Sequence, residues 1–252
     1  MQQVTSVTPP RVGNVSFIAS VVDATPMSQN KVSKPITAPY FSAFECILNG
    51  KEAIYCSSEL TSGRRAYDEM RSRGLKSMSE LKEKLGDAWY KENIFGKNIK
   101  LANTFADSVR ANQTDLTPVI TPAPLFVPGW GQPEYLAFWE ELIRTRVKEV
   151  RFNENWQFSN GCTCEFVAAS EARIPTFDSK TNPLAPEAAL TRVEAAVEQL
   201  GRENLDIPQE LQDNLQRLRS LVGPEPIQGE VVRNPLNPSL TATPRPATLR
   251  GK

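Results

Sequence analysis

The chain has 252 residues, 40% of them hydrophobic and 23% charged, the profile of a soluble globular protein with one sizeable domain and some appended structure. Lys and Arg balance Asp and Glu at 29 each, so no overall field draws the chain to nucleic acid or to an anionic membrane. The absence of histidine excludes Ser-His and Cys-His nucleophile pairs and imidazole metal or acid-base sites, which leaves carboxylates, hydroxyls, thiols, amines and guanidinia for any chemistry.

Residues 1 to 13 read as a loose polar leader without the apolar core of a secretory signal. The β-branched run from Val15 to Val22 predicts a first strand buried on both faces, ending in the loop Asp23-Ala-Thr-Pro26. Phe41, Phe44, Ile47 and Leu48 recur at helical spacing before Gly50, and Ala53-Ile-Tyr-Cys-Ser57 predicts a second strand. Residues 57 to 115 are charge-dense and helical in pattern, with a capping box at Ser77-Met-Ser-Glu80, and read as a helical insertion or lid. Arg64 and Arg65 within it are either a phosphate clamp or part of a solvated face.

A third strand is expected within residues 118 to 126, its ends loosened by prolines. Tyr135, Leu136, Phe138, Trp139, Leu142 and Ile143 then form the stripe of an amphipathic helix over residues 134 to 147. Residues 148 to 152 and 173 to 177 predict the fourth and fifth strands, with a short helix carrying Glu165 between them. Strands alternating with helices imply a doubly wound, mostly parallel five-stranded α/β sheet of Rossmann or flavodoxin-like type over residues 14 to 180. Leucine and valine stripes opened by Pro186 and Pro208 predict a helical hairpin over 181 to 223, and the Pro-rich tail from 224 to 252 has no periodicity.

Cys46, Cys56, Cys162 and Cys164 contain no C-x-x-C pair and have no histidine partners, so they read as reduced thiols of a cytoplasmic protein rather than metal ligands. No run approaches the roughly 20 apolar residues of a membrane span.

The informative stretch is Ser159-Asn-Gly-Cys-Thr-Cys-Glu165-Phe-Val-Ala-Ala169, which is expected to set a carboxylate on the first turn of an otherwise apolar helix. Ligands in open α/β sheets bind at the carboxyl ends of the strands beside helix amino termini, where backbone N–H groups and the helix dipole favour an anion. That field is expected to keep Glu165 ionised and fit for nucleophilic attack at a sugar carbon. The alternatives are structural: Glu165 as an electrostatic cap, Ser159 as an N-cap, Trp156 as a core anchor.

Ser159-x-Gly161-x-x-x-Glu165, followed by Ala168 and Ala169 and by Ile174-Pro175, resembles the nucleoside 2-deoxyribosyltransferase superfamily, closest to its deoxynucleoside 5'-monophosphate N-glycosidase branch. The resemblance implies cleavage of an N-glycosidic bond with Glu165 as nucleophile, and water or a second base completing the reaction. It implies that Ser159, with Asn160 and Gly161, holds phosphate or a sugar hydroxyl, that Phe17 and Ser20 on the first strand line the pocket, and that Trp156 stacks on base or sugar. Asp23 is a secondary catalytic candidate, and Glu149 stands where the family places an aspartate. The family's first strand usually carries a tyrosine and a glycine where residues 15 to 22 have Phe17 and Ala19. No metal or organic cofactor is implied. The expected partners are a small-molecule nucleotide or nucleoside and further copies of the chain, with no membrane and no stably bound nucleic acid. The alternative is a nucleotide-binding sensor or adaptor without turnover.

Overall fold

A computed structural model of the protein describes residues 37 to 223. The leader, the strand expected at residues 15 to 22 and the tail lie outside the described residues, as do Phe17, Ser20 and Asp23. The described part is an α/β fold around a parallel sheet of four strands, β1 (Ala53–Ser57), β2 (Val119–Ile120), β3 (Val147–Phe152) and β4 (Thr176–Phe177), in the order β2-β1-β3-β4. Among the described residues these are four of the five expected strands; the fifth, at residues 15 to 22, lies outside them. The strand at residues 118 to 126 shrinks to two residues because Pro122 and Pro124 cannot donate to a ladder.

Helix α1 (Ala38–Leu48) precedes β1 and ends on Asn49, which takes the left-handed conformation with φ 48°. Residues 57 to 115, expected as an insertion, form the crossover from β1 to β2. They contain α2 (Arg64–Ser72), α3 (Met78–Leu85), α4 (Asp87–Tyr90), a π-helical turn (Lys91–Phe95) and α5 (Gly96–Ala111). The capping box at the start of α3 is half formed: Ser77 accepts from the Glu80 N–H, while Glu80 accepts from Lys76 N–H at 2.7 Å instead of from Ser77. After β2 come α6 (Gln132–Arg146), β3, a 3-10 turn (Trp156–Phe158), α7 (Asn160–Glu171) and β4, and the hairpin follows as α8 (Pro186–Arg202) and α9 (Gln209–Val222).

Two-residue alternation divides β1 between two cores. Tyr55 faces the large cluster built by α6, α7 and the hairpin, around Phe138, Leu142, Phe166, Val193 and Leu215. Ile54 and Cys56 face Phe105, Ala106 and Val109 of α5. All five residues of β1 are buried, as a central parallel strand covered on both faces must be. Chain order reverses between β1, whose crossover leads to β2 on one side, and β3 on the other, which defines the switch point of the sheet. Among the described residues no helix is long and apolar enough to cross a membrane.

Candidate functional site

Glu165 sits on the second turn of α7, not the first, and its side chain enters the core at the carboxyl end of β1. It is 5% exposed. Tyr55 Oη donates to its Oε1 at 2.7 Å and Ser57 Oγ donates to its Oε2 at 2.6 Å. Tyr55 and Ser57 are two apart on one strand and therefore share a face, which is what allows one carboxyl to be gripped at both oxygens. The expected ionising field is outweighed by loss of water: burial raises the Glu165 carboxyl from 4.5 to about 7, against the two hydroxyl donors, with the nearby Glu140 adding to the rise. The fold thus provides a less strongly ionised group than the helix-terminus field alone suggests.

The amino terminus of α7 is occupied from within. Ser159 is the N-cap, buried, its hydroxyl accepting from Cys162 N–H at 3.4 Å. Asn160 is held by the hairpin, where the buried Asn214 of α9 donates to its Oδ1 at 3.1 Å and also to Thr163 Oγ1 at 3.3 Å. A Cβ on Gly161 would meet only Ser159 Oγ at an ordinary 3.9 Å, so close backbone packing does not require glycine there.

Two expected site residues are placed elsewhere. Trp156 is 1% exposed and stacks on Phe166 at 5.2 Å between ring centroids, so its ring faces belong to the core rather than to a ligand. Glu149 pairs with Ile54 in register, on the α5 face of the sheet opposite Glu165, and its carboxylate is bound by Arg151 at 2.6 Å. The bulge in the β1–β3 register at Ala53/Ile54 fixes that orientation.

A cleft of 370 Å³ opens at the switch point, between the carboxyl ends of β1 and β3. Glu59 and the first turns of α2 form one wall, residues 153 to 155 another, and Asn98 of α5 closes the back. Asn98 Nδ2 donates to Leu60 O at 3.1 Å and its Oδ1 accepts from Arg65 Nε at 3.1 Å, which ties the loop after β1 to α5. Arg64 ion-pairs with Asp68 at 3.1 Å and lies 5.1 Å from the Phe158 ring centroid. Burial pushes the Glu59 carboxyl up to about 8, opposed by the Arg64 N–H and the two guanidinia. A second cleft of 390 Å³ lies beyond β3 and β4, bordered by Asp178, Lys180 and Arg192, with one edge of Trp156 in its wall. Glu165 lines neither cleft.

Sequence reasoning missed Tyr55, Ser57 and Glu59. The first two carry a legible signal, polar side chains two apart in an otherwise apolar strand, while Glu59 in a turn carries none. Among the described residues no cluster of three or more Cys, Asp or Glu side chains is arranged to hold a metal ion. No protein-family model matches the chain, and neither does any curated protein or solved structure.

Proposed function

We propose that the chain cleaves or exchanges the N-glycosidic bond of a nucleoside or nucleotide, with Glu165 as the nucleophile. The observation that supports this is the grip of Tyr55 and Ser57 on both oxygens of a carboxyl at the carboxyl end of the central strand. Two hydroxyl donors stabilise the carboxylate as it forms and fix its direction. In the reaction so read, a Glu165 oxygen bonds to C1' as the bond from C1' to the base nitrogen breaks, and the base leaves with the electron pair. Water or a second base then displaces the carboxylate. With a carboxyl near 7, roughly half of the groups are ionised at neutral pH. Because Glu165 lines neither cleft, the reading requires the switch-point cleft to open toward Ser57 when ligand enters. A homo-oligomer assembled through the α8–α9 hairpin and a cytoplasmic location belong to the same reading.

The confinement of Glu165 favours a second reading, a nucleoside or nucleotide sensor that binds at the cleft without turnover. Incubation with deoxynucleosides, deoxynucleoside monophosphates and nicotinamide dinucleotide, followed by chromatography for free base, separates the two. Release that vanishes in Glu165→Gln supports the enzyme, whereas binding without release supports the sensor.

A further inference from the structure

We infer that the switch-point cleft selects an unphosphorylated nucleoside over its 5'-monophosphate, and that Glu59 is the residue setting this preference. The inference rests on the reading of the protein as one that binds nucleosides or nucleotides.

In an open α/β sheet the anionic end of a ligand is received by the amino terminus of a helix that begins at the switch point. Here that helix is α2, nine residues long and following β1 directly into the cleft. Its anion position is filled by the protein. Glu59 Oε1 accepts from Arg64 N–H at 2.8 Å. The same carboxyl packs so closely on Gly63 that a Cβ there would lie 2.3 Å from Glu59 Cδ and Oε1. A phosphate oxygen could reach the helix end only by displacing Glu59.

The charged groups of the walls are largely paired with one another and leave a phosphate little to gain once the helix end is plugged. Glu59, Asp68, Glu69 and Glu154 face Arg64 and Arg65, four carboxyls against two guanidinia. Asp68 is bridged by Arg71 at 3.0 Å as well as by Arg64, and Glu69 by Arg73 at 3.1 Å, so the charges of the walls are committed to one another. A dianion entering this cleft finds Arg64 paired with Asp68 and Arg65 Nε bonded to Asn98, whereas sugar hydroxyls find carboxylate acceptors and base edges find the amides of Asn153 and Asn155. The volume of 370 Å³ falls within the roughly 300–1,000 Å³ range of small-molecule sites.

The test is calorimetric titration of 2'-deoxyadenosine, 2'-deoxycytidine and their 5'-monophosphates into full-length Glu165→Gln protein, so that binding is read without turnover. At least one nucleoside is expected to bind at least tenfold more tightly than its monophosphate, and the added substitution Glu59→Ser is expected to shrink that ratio at least tenfold. Should Glu59→Ser not fold, Glu59→Asn, which carries no carboxyl and is one methylene shorter beside Gly63, is read by the same criterion. Monophosphates that bind as tightly as nucleosides, a preference indifferent to Glu59, or no binding of any of the four overturns the inference. Selective nucleoside binding with no base release by the wild-type protein leaves the inference standing and removes the catalytic reading instead.

Discussion

The hydroxyl of Tyr55 on the central strand meets Glu165 Oε1 at 2.7 Å, joining residues 110 apart in sequence within the core. Ser57, one strand repeat further on, completes the grip at 2.6 Å. A carboxyl so placed has to trade hydration for two donors, and burial wins, which is why its proton is held to about pH 7.

That preference for the protonated form has a direction in stability. The native state binds the Glu165 proton more tightly than the unfolded chain, so from this group stability falls as pH rises from 4.5 to about 7 and is level above. Glu165→Gln carries no such penalty. Relative to wild type, the variant should gain about 3 kcal/mol between about pH 4 and pH 8 in chemical denaturation, since each tenfold difference in proton affinity between the folded and unfolded chain is worth about 1.4 kcal/mol. Parallel pH profiles for the two proteins would show that burial does not perturb the carboxyl.

Tyr55→Phe keeps the ring packing against Trp139 and deletes only the donor. Above pH 7 the lost bond is to a carboxylate and should cost about 1.5–3 kcal/mol, whereas below pH 5 it is a neutral bond worth about 0.5–1.5 kcal/mol. Urea denaturation at the two pH values reads the difference, and an equal cost at both would contradict a titrating Glu165.

Trp156 tests core against platform. Packed between Phe152 and Phe166 at centroid distances of 4.9 and 5.2 Å, it should cost about 3–5 kcal/mol when replaced by alanine. A Trp156→Ala protein of near wild-type stability that has lost ligand binding would restore the stacking role.

Asn214 locks the hairpin onto α7 through Asn160 and Thr163. Asn214→Ala should destabilise by about 1–3 kcal/mol by leaving buried polar atoms without their partner. Hydrogen exchange should show the loss as faster opening of α9, and unchanged protection would mean that the hairpin is held by its apolar stripe alone.

The parallel α/β class was legible because β-branched runs alternating with amphipathic helices have few other solutions. Within it, Val147–Phe152 emerged despite its charges because Val147, Val150 and Phe152 are buried while Lys148, Glu149 and Arg151 are only partly so. Helices α6, α8 and α9 fell close to their expected spans for the reason the stripes suggested, one apolar face each. What escaped the sequence was set by contacts distant in the chain. The field at a helix terminus is a local property, but the desolvation that overrides it at Glu165 depends on β1, α6 and the hairpin closing around α7. The face on which Glu149 lies depends on a register shift that no strand propensity records. Glu59 acquires its role only once Gly63, at φ 111°, folds the start of α2 back over it.

The most direct test is the rate of free-base release from 2'-deoxynucleosides, measured by chromatography for wild type and Glu165→Gln across about pH 5 to 9. Release by the wild type that rises through about pH 7 as the carboxyl ionises, and falls at least a thousandfold in Glu165→Gln, is the predicted result. Release that is unchanged in Glu165→Gln, or no release from any substrate by folded wild-type protein, would contradict it.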